Sequence, residues 1–336
     1  MIIKTHIISL KSRYPFRISH GVREATDTFI VELKDGDFTG FGEATPVPYY
    51  GITPAVMEKM VLENQKIIEN TIWENPSEYW ELLNNKLGKN HFVQCAIDLA
   101  IHDLWGQKNL KPVYKMLGLN IKNVPFSDYT IGIDEISTMI TKMKEFDFPI
   151  YKIKLGTKED IEIVKALRKE TSAVFRVDAN CGWSVEETIN NSLELAKLGV
   201  EFIEQPLTSD NFEGMKEVMK HCKLPIIADE SCITELDVEK CIGHFNGINI
   251  KLAKCGGITP ALRMIKNARE NQLKVMMGCM TESSIGISAI AQLLPLLDYV
   301  DMDGAMLISN DPAEGVKIEN GKVIYPDRNG IGAFLK

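Results

Sequence analysis

A short β-rich run followed by an amphipathic helical stretch recurs after Asn123. Eight such runs fall at 126–131, 150–155, 173–177, 201–204, 225–228, 248–252, 275–277 and 299–301. Polar residues mark the ends of five in succession, Lys154, Asp178, Glu204, Asp229 and Lys251, at steps of 24, 26, 25 and 22 residues. Each step accommodates a strand and a crossover helix, which parallel neighbours in a sheet require. Eight β/α units in series predict a closed (β/α)8 barrel. The stretches 159–170, 185–198 and 260–271 are amphipathic, with Ser184 placed as an N-cap and Pro260 in a first turn. The shorter step from 229 to 251 implies a trimmed helix. After Asp303 the pattern loosens through Asn310-Asp311-Pro312 into 316–325 and a glycine-containing tail. An irregular final unit is expected there.

The first 122 residues have a different texture. Alternating stretches at 2–10 and 28–33, with a turn at Asp35-Gly36-Asp37, precede helical stretches over 54–116, the pattern of an antiparallel sheet followed by helices. The predicted organisation is an α+β capping domain (1–122), a barrel catalytic domain (123–312) and a C-terminal segment (313–336) returning to the cap. A chain of 336 residues is long enough for both units. Its 38 Lys and Arg against 46 Asp and Glu give a net charge of −8 without a basic block, which argues against nucleic acid or an electrostatically held membrane partner. No stretch approaches the ~20 apolar residues of a membrane helix, and the N-terminus has neither an apolar signal core nor a cleavage site. The seven cysteines form an odd set without a C-x-x-C pair, which reads as reduced thiols in a cytoplasmic protein. A small-molecule partner is expected.

In a (β/α)8 barrel the chemistry sits where strands end. Asp178, Glu204 and Asp229 close strands 3, 4 and 5, and three carboxylates in one ring would repel one another without a cation between them. Oxygen ligands without His or Cys point to a hard ion, Mg²⁺. Glu230 is their near neighbour. Lys154 on strand 2 and Lys251 on strand 6 lie four positions apart in a ring of eight, so they face each other across the mouth like two bases on opposite faces of one carbon. A lysine base must be neutral, and the Lys152 cation, the metal and burial are expected to lower its pKa. The class of reaction is proton removal α to a carboxylate, with the ion stabilising an enediolate. Two active lysines imply racemisation or epimerisation; one active lysine leaves β-elimination or cycloisomerisation open.

These residues carry a resemblance. Gly40-Phe41-Gly42-Glu43-Ala44, the stretch Ala96-Ile97-Asp98-Leu99-Ala100 through Asp103-Leu104, Lys152-Ile153-Lys154, Asp178-Ala179-Asn180, Glu204-Gln205-Pro206, Ala228-Asp229-Glu230-Ser231 and Ile250-Lys251-Leu252 resemble, in order and spacing, the enolase superfamily. That superfamily is a known case of a Lys or His base working with Mg²⁺. The likeness is to its muconate lactonizing enzyme subgroup and implies a modified (β/α)8 TIM barrel with an N-terminal α+β capping domain. Within the subgroup the nearest likeness is to dipeptide epimerases of the L-Ala-D/L-Glu type. Asp301-Met302-Asp303 matches the D-x-D motif that holds the dipeptide's α-ammonium there. The resemblance also implies substrate contacts at Thr130, Lys152 and Cys279, and at Arg23, whose guanidinium would suit a glutamate side chain.

The expectation is thus a Mg²⁺-dependent epimerase of an Ala-Glu dipeptide from peptidoglycan turnover, with Lys154 and Lys251 as the acid/base pair, in a homo-oligomer. The alternatives are an N-acylamino acid racemase, o-succinylbenzoate synthase or muconate cycloisomerase, whose substrates lack a free α-ammonium. A catalytically silent metabolite-binding barrel is the remaining one.

Overall fold

The computed structural model describes residues 1–18, 21–46, 50–87 and 90–336, with side chains for all of these except 16–18 and 21–23. Three antiparallel strands open the chain: β1 (Ile2–Ile18), β2 (Gly21–Asp35) and β3 (Phe38–Ala44), in the order β1-β2-β3. β1 runs past the alternating stretch, and Pro15, which cannot donate to a ladder, falls where its register shifts between Lys11 and Phe16. The β2–β3 turn places Gly36 at φ 61°, a left-handed conformation that glycine adopts without strain. Four helices follow: α1 (Pro54–Asn70), α2 (Pro76–Asn84), α3 (His91–Lys108) and α4 (Val113–Met116). Thr53, Asn75 and Asn90 cap the first three by accepting backbone N–H groups.

α3 is buried almost all round because it lies between this sheet and the second unit. Glycines permit the close approach. A Cβ on Gly42 would stand 2.0 Å from the Ala96 carbonyl oxygen and 2.5 Å from Ala100 N. Gly42→Ala is therefore expected to cost about 3 kcal/mol of stability, the upper end for overpacking. Denaturant unfolding would read this as a lower midpoint at an unchanged slope.

The second unit is a ring of eight parallel strands: β4 (Tyr129–Ile131), β5 (Ile150–Lys154), β6 (Val174–Asp178), β7 (Val200–Glu204), β8 (Ile226–Ala228), β9 (Gly247–Ile250), β10 (Lys274–Gly278) and β11 (Tyr299–Asp301). Ser127 bridges Val300 in parallel and closes it. The fold class is thus the (β/α)8 barrel with an α+β cap. Strand ends agree with the pattern to within a few residues, the largest difference being the first strand, which starts at Tyr129.

Crossover helices α5 (Ile136–Glu145), α6 (Asp160–Arg168), α7 (Val185–Lys197) and α8 (Phe212–His221) are regular, and α7 starts with a full capping box at Ser184 and Glu187. The trimmed connection before β9 holds a 3-10 turn (Glu235–Asp237) running into one α-helical turn, α9 (Val238–Cys241). α10 (Leu252–Cys255), α11 (Ile258–Glu270) and α12 (Ser284–Ala291) complete the wall. The barrel floor is filled by Arg176, which is paired with Asp128 and Glu201 at 2.8 Å each and packs against the adjoining rings of Phe202 and Tyr299.

The irregular last unit ends in short strands, and Ile331 N donates to Asp103 of α3 at 2.8 Å. Buried Glu43 at the end of β3 accepts from Ser283 N, Ser283 Oγ and Gly286 N, tying the cap to the start of α12. None of the seven cysteines forms a disulfide. Among the described residues, no helix is long and apolar enough to cross a membrane.

Candidate active site

Strand register brings the polar ends to one level. Lys154 stands opposite Asp178, and Asp178 opposite Glu204, while Asp229 follows directly on β8. These residues end their strands or, for Asp229, follow directly on one, so the carboxylates emerge at the carboxyl end of the barrel. Asp178, Glu204 and Asp229 each bring an oxygen within 4.8 Å of the others, and all three are buried.

Their charges are met by lysines. Lys152 Nζ lies 2.8 Å from Glu204, 3.2 Å from Asp178 and 3.0 Å from Asp301. Lys154 donates to Asp178 Oδ2 at 2.6 Å, and Lys251 to Asp229 Oδ2 at 2.8 Å. Burial raises the pKa of Asp178 and Asp229, but Lys154 and Lys152 outweigh it at the first, and Lys251 and Lys254 at the second. Both carboxyls end below the usual range. Glu204 goes the other way. Burial and the Asp178 charge push it up to about 7, although Lys152 opposes them.

A hard divalent ion fits this donor set. All three ligating groups are carboxylates, and the buried Glu204 Oε2 receives no aligned hydrogen bond even though Lys152 Nζ is 2.8 Å away. Glu204 Oε1 is fixed by Asn249 Nδ2 at 2.8 Å, which leaves the other oxygen directed at the cluster's remaining partners.

Burial lowers the pKa of Lys251 and Lys152 adds to that, yet Asp229 at contact distance outweighs both and raises it. Lys152 is likewise raised, since Asp301, Glu204 and Asp178 more than offset its burial. Lys251 and Lys152 are thus ammonium groups while these carboxylates face them.

Beside the trio lies a second acidic pair. Asp301 ends β11 and accepts from Lys152, and Asp303 Oδ2 accepts from Thr130 N at 2.6 Å. Cys279 Sγ stands 3.9 Å from Asp303 Oδ1. Burial raises Asp301, but Lys152 brings it down to about 2; burial and the Asp301 charge push Asp303 up to about 8. Lys152 therefore joins the trio to this pair. The structure gathers Thr130, Lys152, Lys154, Asp178, Glu204, Asp229, Lys251, Cys279, Asp301 and Asp303 through such contacts. Arg23 pairs with Phe16 along the backbone, and its side chain lies outside the described residues.

Sequence reasoning passed over Lys254. It is buried in α10 and donates to Asp229 Oδ1 at 2.5 Å, to the Asp229 carbonyl at 2.7 Å and to the Cys232 carbonyl at 3.3 Å. The signal was present, because Lys251-x-x-Lys254 places both side chains on one face of a helical turn. Glu230 is pushed up to about 7 by burial and the neighbouring Asp229 charge, and it accepts from Asn180 Nδ2 at 3.3 Å.

Comparison with known proteins follows the same two units. Residues 2–118 match the family described as mandelate racemase / muconate lactonizing enzyme, N-terminal domain, and residues 136–336 match the enolase C-terminal domain-like family. The chain is 55% identical over 327 residues to an L-Ala-D/L-amino acid epimerase of Flavobacterium johnsoniae, covering 97% of each. It is 36% identical over 331 residues to an L-Ala-D/L-Glu epimerase of Bacteroides thetaiotaomicron, covering 97% of this chain and 85% of that one. A dipeptide epimerase from Cytophaga hutchinsonii, solved with Mg and D-Ala-L-Val, superposes with a TM-score of 0.93 at 28% identity, covering 100% of this chain and 96% of that one.

Proposed function

Because the chain belongs to the mandelate racemase / muconate lactonizing enzyme family of the enolase superfamily, we propose that it is a Mg²⁺-dependent dipeptide epimerase inverting the C-terminal α-carbon. The observation that carries this reading is the bracketing of the carboxylate trio by two lysines from strands 2 and 6, Lys154 on Asp178 and Lys251 on Asp229. The relatives' names support L-Ala-D/L-amino acid dipeptides, and Ala-Glu is the substrate expected first.

The residues divide the work. Asp178, Glu204 and Asp229 would hold Mg²⁺, which when bound neutralises their charge and stabilises negative charge on the substrate carboxylate. Asp301 and Asp303 accept hydrogen bonds from the α-ammonium and fix the dipeptide's other end. Lys154 and Lys251 then stand on either side of the α-carbon. One takes the proton on its neutral Nζ, and the ammonium of the other returns a proton on the opposite face, which inverts the centre. Lys251 can act as base only when its amine is no longer held as the counter-charge of Asp229.

Incubation with Mg²⁺ and a dipeptide panel in D₂O tests the reading, with α-deuterium read by mass spectrometry. Deuterium at the C-terminal α-carbon, fastest with L-Ala dipeptides, is expected; no exchange with any dipeptide at saturating Mg²⁺ removes the assignment. The acidic pair makes a separate prediction. Asp301→Asn with Asp303→Asn is expected to raise KM for L-Ala-L-Glu about 10- to 100-fold, the worth of a charge-assisted hydrogen bond. N-Acetyl-L-Ala-L-Glu, lacking the ammonium, is expected to be turned over poorly by the unaltered enzyme.

A further inference from the structure

Lys251 begins a segment whose far end is held by the other unit. It directly precedes α10, and Lys254 N and Cys255 N donate back to its carbonyl at 3.0 and 3.1 Å. The turn ends on Gly256 and Gly257, both left-handed at φ 102° and 116°, and α11 starts at Ile258. Gly257 is the N-cap of α11 and has no side chain to satisfy the free N–H groups of its first turn.

The capping domain supplies the missing acceptor. Asp98 of α3 is buried, and its carboxylate accepts from Thr259 N at 3.0 Å and from Thr259 Oγ1 at 2.7 Å, as an N-cap side chain would. His102 Nδ1 lies 3.4 Å from the same carboxylate, and Trp80 Nε1 of α2 donates to the Gly256 carbonyl at 2.9 Å. A Cβ on Gly257 would stand 2.3 Å from Asp98 Oδ2. The Gly-Gly pair thus leaves room for this carboxylate, while its own N–H groups donate to the Leu252 carbonyl at 3.0 and 2.9 Å. Like Asp98, Glu43 caps a first turn, that of α12, so caps donated across the two units occur at successive barrel helices.

We propose that Asp98 is a positioning residue for Lys251, the capping domain setting the place of the second base through the α11 N-terminus and the α10 turn. The inference rests on the two-lysine epimerisation above. α10 is a single turn and has too few internal hydrogen bonds to hold itself, so its geometry depends on Lys254, anchored to Asp229 and Cys232, and on what fixes its two ends. One end continues from β9; the other is held from the capping domain, by Trp80 at Gly256 and by Asp98 at Thr259. A displacement of about 1 Å at a reacting group costs roughly 10²-fold in rate. Lys154 ends β5, remote in sequence from this segment, so the loss is one-sided.

The test uses Asp98→Ala and the milder Thr259→Val, with L-Ala-L-Glu and L-Ala-D-Glu followed separately in D₂O. The epimer whose α-proton faces Lys154 is expected to keep exchanging with retention within about threefold of the unaltered rate, while its inversion and all reaction of the other epimer fall about 10- to 100-fold. A role in folding alone would slow both epimers alike, and that result, or unchanged inversion in both variants, overturns the proposal. Amide hydrogen exchange over 252–259 provides a readout independent of activity, and protection there is expected to fall in both variants. If the unaltered protein exchanges no dipeptide, the functional reading has failed, and unchanged protection at 252–259 then overturns the positioning role as well. If Asp98→Ala does not fold, Thr259→Val alone decides by the same two readouts.

Discussion

Replacing Lys154 and Lys251 by alanine together is expected to abolish α-deuterium exchange, while each single variant loses epimerisation by about 10²- to 10⁴-fold, the range of one positioned acid or base. The singles carry the more telling result. An enzyme with only Lys154 can remove the proton on its own side and return it there, so one epimer washes in deuterium without inverting and the other does not react. An enzyme with only Lys251 shows the opposite preference. Mass spectrometry combined with chiral separation of the two epimers distinguishes retention from inversion directly. A single variant that still inverts would show that its lysine only holds charge.

Both variants are expected to fold, because each carboxylate keeps another cation. Asp178 retains Lys152 at 3.2 Å, and Asp229 retains Lys254 at 2.5 Å. A buried carboxylate left with no counter-charge would cost several kcal/mol, and the paired arrangement avoids that in either single variant.

Much of this site is legible in the linear pattern because a parallel barrel converts sequence spacing into position. Steps near 25 residues bring Lys154, Asp178, Glu204 and Asp229 to one rim without further information. What the pattern does not contain are contacts set by packing between units far apart in sequence. Asp98 and Thr259 are 161 residues apart, and Glu43 and Ser283 are 240 apart, and nothing local to either residue marks the partner. The balance of the chain's own charges at Lys251 is undetermined by the sequence for a related reason. Its sign depends on whether Asp229 or Lys152 stands nearer, which is a distance that sequence spacing leaves undetermined. At a smaller scale, the first strand continues past the alternating stretch through an irregular register that alternation does not reveal.

The carboxylate trio makes the other large prediction. Chelation is expected to lower exchange by about 10³-fold, since withdrawing several kcal/mol of charge stabilisation corresponds to that factor, and added Mg²⁺ restores it. Glu204→Gln is the most discriminating variant. Its size is unchanged, Asn249 Nδ2 still has an amide oxygen to donate to, and Asp178 and Asp229 keep their own lysines. The metal-free protein should therefore melt near the unaltered temperature. The difference lies in the response to the ion. A site filled at 100 times its dissociation constant stabilises the folded state by about 2.7 kcal/mol, so Mg²⁺ raises the melting temperature of the unaltered protein. Glu204→Gln offers two carboxylates where three are needed, and both the Mg²⁺-dependent shift and the exchange activity are expected to disappear together. A variant that kept the shift but lost activity would place the ion elsewhere and leave Glu204 acting on the substrate itself.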